Sequence, residues 1–158
     1  MRALIGMSGG VDSSVAAWLT QQKGFDCIGA TMRLYAGQAG EQESTCCSLE
    51  DVEDARSVAY RLGIPFYVFN FTDDFQARVM DPFVSAYERG LTPNPCIDCN
   101  RHLKFDRFLR RARELGCDYV VTGHYARIAR YNERWVLRKA ADEAKDQTYF
   151  LYTLTQDQ

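Results

Sequence analysis

A glycine- and serine-rich loop, residues 8–14 (SGGVDSS), leaves few folds open to this chain. It follows a short apolar run, residues 3–7, and precedes a segment of helical period, which predicts a strand, a tight turn and a helix in succession. The two glycines allow backbone N–H groups to approach a ligand closely, and the N-terminus of the following helix favours an anion. The loop therefore predicts a phosphate-binding turn at the carboxyl end of a strand.

Strand-like and helical segments alternate along the rest of the chain. Further strands are predicted at residues 27–32, 66–70 and 119–122. The helices between them are marked by apolar residues at helical spacing. The first has Val15, Ala16, Trp18 and Leu19 on one side, and the second has Leu49, Val52, Ala55, Ala59 and Leu62 after an N-cap at Ser48. The third covers residues 75–87 and is predicted to bend at Pro82, and the fourth has Phe105, Phe108, Leu109, Ala112 and Leu115. This alternation predicts an α/β fold with a Rossmann-like parallel sheet, to which residues 125–131 and 134–138 add a small appended hairpin. The long polar loop at residues 37–44 is predicted to be a mobile flap.

Composition narrows the class of protein. A chain of 158 residues with 46% apolar residues can bury one core. No apolar stretch approaches the roughly 20 residues that span a bilayer, and the N-terminus lacks the features of a signal or transit peptide, so we expect a cytoplasmic protein without a membrane partner. The net charge of −2 disfavours a general nucleic-acid binder, but residues 101–113 and 127–139 are rich in Lys and Arg. These two stretches suit contact with one specific polyanion, or they form solvated faces.

The six cysteines are more typical of redox chemistry or metal binding than of disulfide staples in a chain of this kind. Cys96 and Cys99 follow a proline-stiffened loop at the predicted mouth of a helix, which Asn100 is expected to cap. The helix N-terminus and the charges of Arg101 and Lys104 favour a thiolate, the stronger nucleophile. The same spacing also fits half of a zinc site, a dithiol or part of an iron–sulfur cluster.

The other cysteines are less informative. Cys27 and Cys117 lie in or beside predicted strands and are expected to be inert core thiols. The adjacent pair Cys46 and Cys47 lacks the spacing that would complete a zinc site, and we expect a structural role for it.

The phosphate loop lacks the Gly-Lys-Ser/Thr ending of a Walker P-loop. Asp12 is an unusual neighbour for phosphate unless it helps to hold Mg²⁺. SGGxDS after a strand resembles the signature of the PP-loop ATP pyrophosphatases, which cleave ATP between the α and β phosphates and adenylate a carbonyl oxygen. The alternative is a Gly-Ser turn that caps a helix. Met32, at the end of the second predicted strand, suits an adenine contact or core packing.

Several longer motifs occur in a fixed order and make the resemblance more specific. They are SGGVDSS (8–14), GATM (29–32), CCSLEDVEDAR (46–56), LGIPFYVFNF (62–71), GLTPNPCIDCNRHLKF (90–105), GHYARI (123–128) and KDQTYFLYTL (145–154). Together they resemble the N-terminal catalytic domain of the bacterial tRNA-specific 2-thiouridylases, over essentially the whole chain.

This resemblance implies a reaction, substrates and partners. Enzymes of this family use ATP and Mg²⁺ to adenylate the C2 oxygen of the wobble uridine of tRNA. Sulfur from a cysteine persulfide, or from a cluster, then replaces that oxygen. A sulfur-donor protein, either a cysteine desulfurase or a relay protein, is an implied partner. A disulfide bond is implied as well.

The resemblance also implies site residues. The positions that match ATP contacts are Gly6, Met7, Ser8, Gly9, Gly10, Val11, Asp12, Ser13, Met32 and Gly123. Those that match tRNA contacts are Asn94, Pro95, Cys96, His124, Lys145, Asp146 and Gln147. Cys99 matches the catalytic cysteine, with Cys96 beside it. Many family members have Asp in place of Cys96, which puts a proton-transfer role there in doubt and favours a possible iron–sulfur cluster on Cys96 and Cys99.

The chain is expected to be a truncated PP-loop catalytic domain covering residues 1–158. It stops just after the apolar run 149–154, before the family's second cysteine, and the central and β-barrel tRNA-binding domains are absent. Two other functions remain open. One is a different PP-loop enzyme that adenylates a carbonyl, such as a lysidine, argininosuccinate or GMP synthetase or another tRNA thiolase. The other is a non-enzymatic cluster carrier.

Overall fold

The computed structural model describes residues 1–35 and 49–158. Its centre is a four-stranded parallel sheet in the order β3-β2-β1-β4, which confirms the predicted α/β class. The strands are β1 (Arg2–Gly6), β2 (Asp26–Arg33), β3 (Phe66–Asn70) and β4 (Tyr119–Val121). The predictions about residues 37–44, Cys46, Cys47 and Ser48 lie outside the described residues.

Both faces of the sheet are covered, as is typical of parallel sheets. Neighbouring residues of β1 point to opposite faces, so Leu4 and Ile5 belong to two separate core clusters. Ile5 packs with residues of α1 (Val11–Gln22) and α2 (Leu49–Leu62). Leu4 packs with the helices that follow β3.

The face of α1 that packs on the sheet is not the one that the apolar pattern predicted. Its buried residues are the small ones, Ser13, Ala17 and Thr20. Val15, Trp18 and Leu19 are about half exposed, so the predicted face was wrong. Small side chains at these three positions let the helix lie close to the sheet, and this close approach outweighs the hydrophobicity of the other side.

The helices on the other face contain two wide π-helical segments. The first helix runs through α3 (Thr72–Phe75), a π segment (Gln76–Met80) and α4 (Asp81–Glu88). The Asp81 N–H donates to the Gln76 carbonyl, an i to i−5 bond placed directly before Pro82. Proline cannot donate to the carbonyl four residues earlier and crowds it, so the helix widens locally before Pro82, where the sequence predicts a bend.

The second such helix carries the cysteine motif. It runs through α5 (Pro95–Asp98), a π segment (Cys99–Arg107) and α6 (Phe108–Glu114), and it buries Leu103, Phe108 and Ala112 against the sheet. The predicted apolar face of this helix is therefore correct at Phe108 and Ala112.

The appended hairpin is present as β5 (Arg127–Tyr131) and β6 (Arg134–Arg138), which pair only with each other. Its turn residues Asn132 and Glu133 have φ of 44° and 64°, the left-handed conformation of a tight two-residue hairpin turn. Two short 3₁₀ turns follow, Glu143–Lys145 and Thr148–Phe150. No helix among the described residues is long and apolar enough to cross a membrane.

Candidate active site

The phosphate loop joins β1 to α1 and is held by its own serines. The Ser8 N–H donates to Ser13 Oγ at 3.2 Å, and the Ser13 and Ser14 hydroxyls donate to the Gly10 carbonyl at 3.1 and 2.8 Å. Gly10 is the N-cap of α1 and has no side chain to bind the first-turn amides. The N–H groups of that turn therefore remain available to an anion, as a phosphate site requires.

Two glycines are needed because other backbone lies against this loop. Gly9 has φ of +78°, and a Cβ there would lie 2.8 Å from the Asp51 carbonyl oxygen. A Cβ on Gly123, just after β4, would lie 2.8 Å from the Ser13 backbone nitrogen. The end of β4 thus packs directly on the start of α1, and the residues of the loop fit a phosphate group.

The two methionines of the predicted nucleotide site differ in burial. Met7 is buried, its carbonyl accepts from the Thr31 hydroxyl at 2.7 Å, and its sulfur lies 2.7 Å from where a Cβ of Gly29 would be. Met32 lies at the carboxyl end of β2, partly buried against the core cluster. The Met7 side chain is a packing element, while Met32 keeps an exposed part at the sheet edge.

The cysteine helix begins six residues earlier than predicted. Asn94, not Asn100, is its N-cap: the Asn94 Oδ1 accepts from the Cys96 N–H at 3.1 Å. Pro95 follows at the first helical position, where its fixed φ is favourable and its missing N–H is not needed. Cys96 and Cys99 therefore lie one turn apart within the helix, Cys96 exposed and Cys99 half-buried against the core.

Asn100 has a different role, since only 4% of it is exposed. Its Nδ2 donates to the Phe150 carbonyl at 3.3 Å, which ties the cysteine helix to the 3₁₀ turn Thr148–Phe150. Its Oδ1 has no partner among the described residues. A buried amide of this kind fixes the relative position of the two segments that it joins.

His124 lies where the end of β4 meets the cysteine helix. Its Nδ1 is 2.7 Å from Thr122 Oγ1, and its ring centroid is 6.0 Å from that of Phe105. Burial and, to a smaller extent, the positive charge of Lys104 together lower the pKa of His124 to about 4. The imidazole is therefore neutral at physiological pH, and it lies beside a cation of the cysteine motif.

Residues 145–147 are bound mainly to the protein itself. Asp146 accepts from the Ala140 N–H at 2.7 Å and from the Thr148 hydroxyl at 2.5 Å, and these hydrogen bonds lower its pKa. Gln147 is bound on both sides to the backbone of Tyr125. Lys145 is exposed, with its Nζ 5.2 Å from the centroid of the Tyr125 ring.

Sequence reasoning missed Tyr125. Its hydroxyl donates to Asp12 Oδ1 at 2.7 Å, so it connects the phosphate loop to residues 145–147. Because the Tyr125 hydroxyl donates its proton to Asp12 in this hydrogen bond, the pKa of Tyr125 is raised. The GHYARI motif contains this residue, but only the fold places residue 125 next to residue 12.

The predicted basic helix is less free for an external anion than its composition indicates. Arg107 pairs with Asp74 at 2.7 Å, Arg110 with Asp106 at 2.7 Å, and Arg111 with Glu114 at 2.6 Å. A cavity of about 250 Å³ on this side is lined by Arg78, His102, Asp106, Arg107 and Arg110.

Cys27, Cys96 and Cys117 are free thiols, so the implied disulfide does not involve these three. Burial raises the pKa of Cys27 and of Cys117, as expected for core thiols. Within residues 1–35 and 49–158 no group of three His, Cys, Asp or Glu side chains could hold a metal ion. An iron–sulfur cluster on Cys96 and Cys99 would thus need further ligands from elsewhere.

A parallel α/β sheet with an SGGxDS loop between β1 and α1 defines the chain as a domain of the PP-loop ATP pyrophosphatase type. The family model of the tRNA methyl transferase HUP domain matches residues 1–158, and the chain belongs to this family.

Two curated relatives are called tRNA-specific 2-thiouridylase MnmA. That of Clostridium acetobutylicum is 59% identical over 99% of this chain and 45% of its own length. That of Clostridioides difficile is 56% identical over 99% of this chain and 44% of its own length. The chain thus spans less than half the length of the curated relatives that it matches.

One solved structure is similar in fold alone. It is a glutamine-dependent NAD⁺ synthetase from Acinetobacter baumannii in complex with ADP, at a TM-score of 0.50 and 19% identity, covering 75% of this chain and 20% of that one.

Proposed function

We propose that this chain is the ATP-using part of an enzyme that converts a uridine of tRNA to 2-thiouridine. The observation that carries the proposal is the position of residues 122–126, between the phosphate loop and the cysteine helix. Gly123 packs on Ser13 and Tyr125 binds Asp12 on one side, while His124 lies against Phe105 on the other. A nucleotide site and a thiol site at one edge of a sheet suit a reaction that first activates a group and then displaces it.

The first step activates the base. The C2 oxygen of uridine attacks the α phosphorus of ATP, the bond to the β phosphate breaks, and pyrophosphate leaves. The first-turn amides of α1 and the Ser8 hydroxyl are the donors that hold the pyrophosphate end. Asp12 is the carboxylate available to Mg²⁺, which supplies charge neutralisation between the phosphates when it is bound.

The second step exchanges oxygen for sulfur. The terminal sulfur of a persulfide, carried on a second cysteine and loaded by a sulfur-donor protein, attacks C2 and displaces AMP. The Cys99 thiolate then attacks the inner persulfide sulfur, which frees the thiolated base and leaves a disulfide for a cellular thiol to reduce. Cys96, one turn away and exposed, is the thiol beside this reaction.

The target base and its tRNA are assigned to the surface beside the cysteines. Asn94, Pro95 and Cys96 form the start of the helix, and the exposed Lys145 supplies a cation for a phosphate. His124, neutral and next to Phe105, suits contact with a base that is turned out of its stack. The names of the relatives, at 59% and 56% identity, support tRNA as the substrate, and we propose a cytoplasmic location.

The test separates the two steps by substitution. The assay uses the whole enzyme of which this chain is proposed to be a part, with tRNA, ATP, Mg²⁺ and a persulfide donor, and we expect Asp12→Ala to lose tRNA-dependent pyrophosphate release. Cys99→Ser should still release pyrophosphate but form no 2-thiouridine, as measured by mass spectrometry of the digested tRNA. Cys117→Ser, a core thiol, is the matched control and should retain both. Thiouridine formation by Cys99→Ser at the rate of the unsubstituted protein would refute the proposal, and the absence of any pyrophosphate release would favour a carrier without enzymatic activity.

A further inference from the structure

Tyr125 contacts two segments that the proposed function uses. Its hydroxyl donates to Asp12 Oδ1 at 2.7 Å. Its backbone N–H donates to Gln147 Oε1 at 3.0 Å, and its carbonyl accepts from the Gln147 N–H at 2.9 Å. Because the backbone is held on both sides by Gln147, the hydroxyl reaches Asp12 from a fixed position.

The ring of Tyr125 is restrained as well. The Lys145 ammonium lies 5.2 Å from the ring centroid, within cation–π distance. Gly123, two residues earlier, has its Cα against the Ser13 backbone nitrogen, with no room for a Cβ. The loop that carries Tyr125 therefore cannot move without also moving the start of α1 or the segment at residues 145–147.

The hydrogen bond from the Tyr125 hydroxyl determines the orientation of the Asp12 carboxylate. A hydrogen bond from a hydroxyl to a carboxylate is charge-assisted and restricts the rotamer of the acid. With Oδ1 bound to Tyr125, Oδ2 has no hydrogen-bond donor among the described residues. A carboxylate in the first turn of α1 would repel a phosphate unless one of its oxygens binds a cation.

We infer that Tyr125 is a positioning residue for the nucleotide step: its hydroxyl holds the Asp12 carboxylate in one orientation, with Oδ1 occupied and Oδ2 left for the Mg²⁺ that accompanies ATP. This inference rests on the proposed function, since it requires that the phosphate loop binds a magnesium nucleotide. Tyr125 acts through Asp12 and need not touch the nucleotide.

The test is a Mg²⁺ titration of nucleotide binding. Tyr125→Phe removes the hydroxyl and keeps the ring, the contact of Lys145 with the ring face and both hydrogen bonds to Gln147. Binding of α,β-methylene-ATP is measured by calorimetry at a series of Mg²⁺ concentrations. We expect the Mg²⁺ concentration at half-maximal binding to rise about three- to tenfold in Tyr125→Phe, which is the scale of one charge-assisted hydrogen bond that is partly exposed to water. The control is Tyr131→Phe, an exposed tyrosine of the hairpin, which should match the unsubstituted protein.

A double-mutant cycle shows whether the effect passes through Asp12. When Asp12 is already replaced by Asn, we expect Tyr125→Phe to add less than about a twofold change, because the two residues act as a unit. If the two substitutions changed the Mg²⁺ midpoint by independent factors that multiply, the inference would be contradicted. An unchanged Mg²⁺ midpoint in Tyr125→Phe would contradict it as well. Thermal melting of each variant excludes a general loss of folding. If the unsubstituted chain bound no nucleotide at any Mg²⁺ concentration, the proposed function would fall together with this inference. If the unsubstituted chain bound nucleotide normally and Tyr125→Phe had the same Mg²⁺ midpoint, only the role of Tyr125 would be overturned.

Discussion

The thiols of this protein differ most in their access to solvent. Cys96 is exposed and Cys99 half-buried, whereas Cys27 and Cys117 are 3% and 9% exposed. Burial raises the pKa of both core thiols, so a smaller fraction of each is thiolate at neutral pH. Because the thiolate is the reactive form, reactivity should separate the helix pair from the core pair.

Brief treatment of the native protein with iodoacetamide at neutral pH tests this difference. We expect Cys96 and Cys99 to be alkylated before Cys27 and Cys117, with the order read from tryptic peptides by mass spectrometry. Labelling in denaturant is the control, since the four thiols should then react at similar rates. Labelling of Cys117 as fast as Cys99 in the native protein would mean that the helix start does not favour the thiolate.

His124 gives the protein a specific acid sensitivity. Its pKa is lowered from 6.5 to about 4 by burial and by Lys104, so the folded state disfavours the proton that the unfolded chain accepts. The stabilising contribution is fully present above pH 6.5 and decreases as the pH falls towards 4. Urea unfolding at pH 7 and pH 4.5 should show a smaller pH-dependent loss of unfolding free energy in His124→Asn than in the unsubstituted protein. An identical loss in both would exclude His124 as the cause.

At the scale of elements, the contact between the end of β4 and the start of α1 holds the phosphate loop. A Cβ at residue 123 would lie 2.8 Å from the Ser13 nitrogen and 3.0 Å from the Asp12 carbonyl carbon, and backbone atoms cannot move aside as a flexible side chain can. We therefore expect Gly123→Ala to displace the loop and weaken nucleotide binding at least about tenfold, on the order of 1.4 kcal/mol.

Gly24→Ala is the matched control. Gly24 has φ of +81° but no atom within 4 Å of a Cβ, so this variant should lose stability through backbone strain while it binds nucleotide normally. Calorimetric titration gives the affinity and thermal melting the stability. Equal affinity losses in the two variants would show that strain, not the contact with α1, is responsible.

The elements were largely predictable from the sequence because their signals are local. The loop at residues 8–14 and the strands β2 and β3 each carry their own pattern of glycines or apolar residues. The π segments were not predicted, because no residue pattern specifies the change in hydrogen bonding by which the first of them, at Gln76–Met80, relieves the crowding by Pro82. The cap at Asn94 was readable in principle, because Asn before Pro is a typical helix start.

The site was predictable only in part. The motifs name the residues, but their contacts join positions far apart in the chain. Tyr125 reaches Asp12 across 113 positions, and Asn100 reaches Phe150 across 50. Such pairings depend on strand order, which the alternation of strands and helices leaves open. The buried face of α1 was wrongly predicted for a similar reason. Ser13, Ala17 and Thr20 face the sheet because the helix lies close to it, and the apolar pattern does not specify that distance.

Considered as a whole, the molecule places the helices that follow its two chemical groups on opposite faces of one sheet. The phosphate loop leads into α1 on one face, and the cysteine helix covers the other. Phe108 packs the cysteine helix on the sheet: it is fully buried, its ring lies 6.0 Å from that of Phe69, and its Cε1 lies 3.6 Å from where a Cβ of Gly6 would be. The position of the cysteine helix on the sheet therefore depends in part on the packing of this core residue.

Phe108→Ala should test this dependence across the whole fold. Removing a fully buried phenylalanine ring costs about 3–5 kcal/mol of unfolding free energy, a large part of the 5–15 kcal/mol that is typical of a domain. Urea unfolding gives the value, with Tyr60→Ala, an 86% exposed aromatic residue, as the control that should change by less than about 0.5 kcal/mol. A loss of less than about 1 kcal/mol in Phe108→Ala would mean that the layer under the cysteine helix can collapse into the cavity. The cysteines would then be held in place by their own helix and by Asn100, and the sheet would not set the geometry of the site.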